Sequence, residues 1–231
     1  LALVREGGDL KSVGIIPCRY ASSRLPGKPL ADIHGKPMMW YVYQQSSKVS
    51  GIDEVYIATD DERIEHACND LGLNVLMTST DHPTGTDRVA ECVSLVDADY
   101  YVNIQGDEPM INPDAVQMVL DALIACDIRT VMASNSYMLV SDPSDIIRSD
   151  VVKVVITEDN MALFYSRNAI PYPRGSRVSY NMQRGIYCFT AAGLQAFSQS
   201  QPGPLEQAEQ VEMLRFLEHG HGIVMTEIED N

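Results

Sequence analysis

Short apolar runs alternate with longer amphipathic stretches over the first two-thirds of the chain. Val13-Gly14-Ile15-Ile16-Pro17 is partly β-branched and gives way to a loop rich in Ser, Arg, Gly and Pro (18–37), the pattern of a buried strand that delivers a loop. The spacing then predicts a helix over 38–48, a strand over 55–59, a helix over 61–71 and a short strand over 74–77. A helix over 88–96, a strand over 100–105, a helix over 113–125 and a strand over 131–139 continue the rhythm. Such alternation predicts an α/β fold, a mostly parallel sheet flanked by helices, with functional loops at the carboxyl ends of the strands.

After residue 150 the rhythm changes. Three strand-like pieces, 151–157, 162–165 and 185–189, follow one another without long helices between them, which predicts a small antiparallel extension at about 151–190. The stretch 168–181 is rich in Pro, Arg, Gly, Ser and Tyr and suits a loop or projecting arm. A last helix over 205–218 precedes a final strand over 222–228. We expect one domain, with the antiparallel part serving substrate or subunit contact.

Composition narrows the function classes. The 231 residues carry 17 Lys and Arg against 32 Asp and Glu, a formal charge of −15, which argues against a nucleic-acid partner. No apolar run approaches the roughly 18 residues of a membrane-spanning helix. The five cysteines are scattered and never take a zinc-ligand spacing, which fits a reducing, cytoplasmic compartment. The first twelve residues lack the apolar core of a secretory signal. The chain does not begin with Met and stops soon after a strand-like run, so truncated ends are expected.

Four constellations carry candidate chemistry. The loop Arg19-Tyr20-Ala21-Ser22-Ser23-Arg24-Leu25-Pro26-Gly27-Lys28 gathers three cations directly after a buried strand, where Arg forks and a Lys point charge can neutralise a polyphosphate. The alternative, a solvated basic loop, fits poorly in so acidic a chain. Neither the P-loop nor the dinucleotide fingerprint is present. Asn103-Ile104-Gln105-Gly106-Asp107-Glu108-Pro109 places carboxylates at another strand end, where Asp107 could hold Mg²⁺ against a nucleotide phosphate, or where the segment is simply a turn. Asp81-His82-Pro83-Thr84-Gly85-Thr86-Asp87-Arg88 opens a helix and either recognises a base or ribose or caps locally. Ala208, Glu212 and Phe216 share a helical stripe, so Glu212 is either a ligand group or half of a structural ion pair. His219 and His221 read as a solvated helix end.

Taken in order, Arg19 to Leu30, Ala58-Thr59-Asp60, Met77-Thr78, Asp81-His82, Gly85-Thr86, Gln105-Gly106-Asp107-Glu108-Pro109, Val152-Lys153-Val154-Val155, Tyr165-Ser166-Arg167 and Pro204-Leu205-Glu206 resemble the 3-deoxy-manno-octulosonate cytidylyltransferases. The resemblance implies a Rossmann-like nucleotidyltransferase fold, CTP, Mg²⁺, a homodimer, and transfer of CMP to a 2-keto-3-deoxy sugar acid for lipopolysaccharide or capsule synthesis. It further implies that Arg19, Ser22 and Lys28 hold the triphosphate, that Thr84, Gly85, Arg88 and Gln105 contact the nucleotide, and that Asp107 binds the metal. Arg19, Lys28 and Asp107 would then carry catalysis, and Arg167, Gln183, Tyr187 and Glu212 would line the sugar-acid pocket.

Four departures from that family are visible. Gln183, followed by Arg184, stands where the family has His four residues before the pocket Tyr, and Met213 replaces the Gln that follows Glu212. The segment 167–185 is short, and the sequence stops before the family's closing V-D-T-P-E-D-L motif, whose first Asp helps bind metal, so that either the sequence is truncated or a metal ligand is lost. Close analogues such as 8-amino octulosonate or a nonulosonate are therefore alternative acids. A non-catalytic nucleotide-binding homologue and an enzyme using another nucleotide are alternatives in function.

Overall fold

A computed structural model describes residues 10–21, 25–175 and 178–229. The first strand, β1 (Ser12–Cys18), is buried from both sides: Val13 and Ile15 enter one core, Ile16 and Cys18 the other. Burial on both faces is what a central parallel strand requires. A small hairpin, β2 (Asp32–Ile33) and β3 (Lys36–Pro37), turns the chain into α1 (Met38–Ser46). Then come β4 (Glu54–Thr59), α2 (Glu62–Leu71), β5 (Val75–Met77), α3 (Gly85–Cys92), β6 (Tyr100–Ile104), α4 (Pro113–Ile124) and β7 (Val131–Leu139). The ends of α2 are written in the sequence: Asp61 accepts from the Arg63 amide at one, and Gly72, at φ 66°, closes the other.

The remaining elements are β8 (Lys153–Ile156), β9 (Ala162–Ser166), β10 (Asn181–Thr190), α5 (Ala191–Gln199), α6 (Pro204–Glu209), α7 (Met213–Glu218) and β11 (Gly222–Glu227). The main sheet runs β11-β7-β10-β6-β1-β4-β5. Pairings of β1 with β4 and β6, of β4 with β5 and of β11 with β7 are parallel, whereas β10 runs antiparallel to β6, β7 and β8. The β8–β9 hairpin extends this antiparallel portion, as the change of rhythm after residue 150 predicts. Helices α3, α5 and α7 cover one face, where Phe189, Phe197 and Phe216 stack, and α1, α2 and α4 cover the other.

Several bounds differ from the sequence reading, each for a local reason. Helix α3 begins at Gly85 rather than 88, because Thr84 accepts the Asp87 amide and caps it there. Helix α5 is unforeseen; Thr190 both ends β10 and caps α5, leaving no loop to announce it. The helix expected over 205–218 is two short helices, broken at Gln210 with φ 54°. Strand β10 is longer than expected, and within it Gln183 pairs with Tyr137 while Tyr187 pairs with Asn135. The strand therefore accommodates two extra residues there. The Asn135 amide group donates to the freed carbonyls of Arg184 and Ile186, both at 2.9 Å.

Candidate active site

The ends of β1 and β6 approach so closely that a Cβ on Gly106 would lie 2.9 Å from the Pro17 carbonyl and 3.0 Å from Cys18 Sγ. Only glycine permits that contact, and it sets the loop after β6 against the loop after β1. Cys18 itself is buried and its thiol is pushed well up by desolvation, so packing is its role. The basic loop closes on itself: the Gly27 amide donates to the Tyr20 carbonyl at 2.8 Å, and the Arg63 guanidinium stacks 3.3 Å from the Tyr20 ring centre. Gly27 has φ 72° and packs on the same ring.

Lys28 Nζ lies 2.7 Å from Asp107 Oδ2, with 36% and 47% of the two side chains exposed. This pair joins the triphosphate candidate to the metal candidate at the open end of the sheet. Arg19 donates to the His82 carbonyl at 3.0 Å, and the His82 ring pairs with Glu91. Ser22, together with Ser23 and Arg24, lies outside the described residues. No group of three or more His, Cys, Asp or Glu suited to a metal occurs among the described residues. The exposed Asp107 carboxylate, at a strand end beside cations, nonetheless suits Mg²⁺, which takes few protein carboxylates and completes its shell with phosphate and water.

The nucleotide candidates divide. Thr84 and Gly85 sit at the half-exposed start of α3, and a Cβ on Gly85 would meet nothing within 4 Å, so this turn is open to a ligand. Gln105 follows β6 and packs beneath Gly185, where an added Cβ would lie 2.8 Å from Gln105 Cγ. Arg88 is different: it is fully buried, donating to Thr78 Oγ1 and to Asp60 Oδ2 at 3.0 Å. In this structure it braces the ends of β4 and β5 from inside. An arginine in the sequence announces charge but not the carboxylate that takes it inward.

Arg167, Gln183, Tyr187 and Glu212 line one cavity of about 210 Å³, with Met213 and Val152 as apolar wall. Gln183 Nε2 donates to Tyr187 Oη at 3.3 Å. Glu212 accepts from the Thr86 amide at 3.2 Å, tying the cavity to the first turn of α3. Burial pushes the Glu212 carboxyl above the usual range, with Thr86 opposing. Burial also raises the Tyr187 phenol, and the charges of Glu212 and Glu108 add to it. Glu212 does not sit in a helical stripe, because the helix breaks just before it. Arg167 is partly engaged with main chain: Nε donates to Glu209 O at 2.6 Å, Nη1 to Ser149 O at 2.8 Å and Nη2 to Gln210 O at 3.0 Å. Of the five donors of a guanidinium this leaves roughly two for a ligand.

Other groups at the site escape sequence reasoning. Arg215 is buried against Glu206, and Glu209 accepts from Ser166 Oγ and the Arg167 amide. Nothing in the local pattern announces either pairing; a Glu and an Arg nine residues apart across a helix break have no periodicity to betray them.

Comparison with known proteins agrees with this geometry. The family model described as cytidylyltransferase matches residues 13–226. A 3-deoxy-manno-octulosonate cytidylyltransferase of Escherichia coli is 43% identical over 222 residues, 94% of this chain and 88% of that protein. An 8-amino-3,8-dideoxy-manno-octulosonate cytidylyltransferase of Shewanella sp. (strain W3-18-1) is 41% identical over 214 residues, 90% of this chain and 86% of that protein. The structure of a CMP:2-keto-3-deoxy-manno-octonic acid synthetase complexed with CTP superposes with a TM-score of 0.89 at 42% identity, covering 94% of this chain and 90% of that one. A match across nearly the whole sheet, with the basic loop, the Asp107 turn and the cavity beside Glu212 all inside it, places the chain in the cytidylyltransferase family.

Proposed function

We propose that this protein transfers CMP from CTP to the anomeric hydroxyl of a 2-keto-3-deoxy sugar acid, an octulosonate or its 8-amino analogue, and releases pyrophosphate. The observation that carries the reading is the Glu212–Thr86 bond, which joins the acceptor cavity to the turn that holds the nucleotide candidates. The relatives act on both acids by name, at nearly equal identity. The product would enter lipopolysaccharide or capsule synthesis.

In the reaction the anomeric oxygen bonds to the α-phosphorus, the bond to the bridging oxygen breaks, and the hydroxyl proton is lost to solvent. Arg19 and Lys28 hold the triphosphate and meet the charge that grows on departing pyrophosphate. Asp107 would hold Mg²⁺, which when bound would neutralise phosphate charge. Until nucleotide arrives, Lys28 and Asp107 neutralise each other. Thr84 and Gly85 leave room for the nucleoside, while Gln183, Tyr187 and Glu212 orient the acid. No residue need form a covalent bond to either substrate, so rate comes from positioning and charge.

We also propose a homodimer and a cytoplasmic setting. The exposed apolar side chains Ile147, Leu163 and Tyr172 fall in and beside the edge hairpin, which supports a subunit contact there. All five cysteines are unpaired, which supports a reducing compartment.

The test is pyrophosphate release with CTP, Mg²⁺ and a panel of 2-keto sugar acids, each with a metal-free control. Metal-dependent release with at least one acid is expected. CTP binding with silence across the panel would instead make the chain a non-catalytic nucleotide binder. Specificity has its own test. The double variant Gln183→His, Met213→Gln restores polar contacts in the cavity and is expected to move kcat/KM about tenfold toward the unmodified octulosonate. An unchanged ratio between the two acids would remove these residues from selection.

A further inference from the structure

One wall of the acceptor cavity is anchored by a group with no part in the steps above. Lys153, at the start of β8, is completely buried, and its ammonium meets no carboxylate in an ion pair among the described residues. It donates instead to three main-chain carbonyls: Arg148 O at 2.8 Å, Val151 O at 2.6 Å and Arg167 O at 2.6 Å. Three N–H groups thus meet three acceptors. Holding a cation in such a place costs free energy that packing alone does not explain, since an apolar side chain of similar size would avoid it. Desolvation accordingly lowers the lysine pKa, with Asp150 and Glu209 opposing.

The three carbonyls belong to two segments that shape the cavity. Arg148 and Val151 flank the turn that leads into Val152, a wall residue. Arg167 is the wall residue that reaches across to the break between α6 and α7, donating to the carbonyls of Glu209 and Gln210. Glu209 answers by accepting the Arg167 amide at 2.8 Å and Ser166 Oγ at 2.7 Å. Two residues after that break stands Glu212. A continuous set of bonds therefore runs from the Lys153 ammonium through Arg167 to the segment that presents Glu212.

We infer that Lys153 is a positioning residue for the sugar acid: it fixes Arg167 and, through Arg167, the α6–α7 break, so that it governs the KM of the acid and leaves that of CTP alone. The inference rests on the acceptor role proposed for this cavity. In the full chain, Lys153→Met is compared with Val119→Ala, a cavity-forming change in the core on the opposite face. Acid KM is expected to rise about tenfold or more in Lys153→Met with CTP KM within about twofold, whereas Val119→Ala moves neither. Amide hydrogen exchange supplies a readout that needs no turnover. Lys153→Met is expected to lose protection at 148–152 and 209–213, and Val119→Ala to keep it there. Arg167→Lys, which keeps all three Lys153 bonds to main-chain carbonyls and removes the guanidinium bonds to Glu209 and Gln210, is expected to open 209–213 in the same way and tests the Arg167 step if Lys153→Met does not fold. Equal changes in both KM values, or unaltered exchange at 209–213 in both variants, would overturn the inference. A wild-type chain silent toward every acid would count against the transfer reading alone, because exchange still decides the role of Lys153.

Discussion

Asp107→Asn is expected to lower kcat/KM for cytidylyl transfer by about a hundredfold or more while leaving the thermal midpoint nearly unchanged. The substitution keeps the shape of the side chain and removes its charge at the end of β6, where the pair with Lys28 marks the join between the triphosphate candidate and the metal candidate. Both side chains are substantially exposed, so the pair itself contributes at most about 1 kcal/mol to folding. Loss of rate without loss of stability is what separates a functional carboxylate from a structural one. Steady-state kinetics at saturating Mg²⁺, with a melting curve on the same sample, measures both. Turnover within about twofold of wild type would show that Asp107 holds no catalytic metal.

Arg215→Met is expected to have the opposite profile, a large loss of stability from a residue that touches no substrate. Arg215 is buried, forks onto Glu206 with two bonds of 2.7 Å, and stacks 3.8 Å from the Phe197 ring centre. It also reaches the Phe197 carbonyl at 3.3 Å and Asp87 at 3.4 Å, so α3, α5, α6 and α7 all meet at its guanidinium. Removing it strands the Glu206 carboxylate in the interior, at a cost of about 3–5 kcal/mol. For a chain of this length that lowers the thermal midpoint on the order of 10 °C. The double variant Arg215→Met, Glu206→Gln removes both charges of this buried pair and is expected to regain much of the loss. If the single change were silent, or the double change worse than the single, the pair would not be the tie between these helices.

The fold was legible because its signal is local. Buried parallel strands are apolar on both faces, and each is followed by a loop whose Gly, Pro and charged residues cannot continue it, so β1, β4, β6 and β7 stand out within a residue or two. Helix α5 was not legible, because Gly193 lies in its first turn and Thr190 serves strand and helix at once. Nor was the break at Gln210, since a left-handed residue that is not glycine leaves no mark in composition.

The site divides along the same line. The basic loop and the Asp107 turn are contiguous segments whose chemistry is written in adjacent residues. The cavity proposed for the sugar acid draws on residues 152, 167, 183, 187 and 212, which only the antiparallel pairing of β8, β9 and β10 and the fold of the last helices bring together. Apart from Glu212, which the spacing Ala208, Glu212, Phe216 also singles out, its members come from resemblance and not from pattern. Arg88 and Lys153 show that charge does not announce burial: one is held inside by Asp60 and Thr78, the other by three carbonyls, and neither set of partners is adjacent in a way that a periodicity would reveal.

The two extra residues in β10 have an effect beyond geometry. Being even in number, they keep Gln183 and Tyr187 on one side of the strand while the pairs on either flank, Met182 with Met138 and Cys188 with Ser134, stay in register. Residues 184–186 are thereby released from the ladder to β7, the carbonyls of Arg184 and Ile186 held by Asn135 instead. The alignment of the strand is thus borne by the pairs on either side of a loosened stretch, and an exchange at 184 alters a side chain that no pair to β7 holds. In evolutionary terms, this stretch can vary at little risk to the alignment of the sheet.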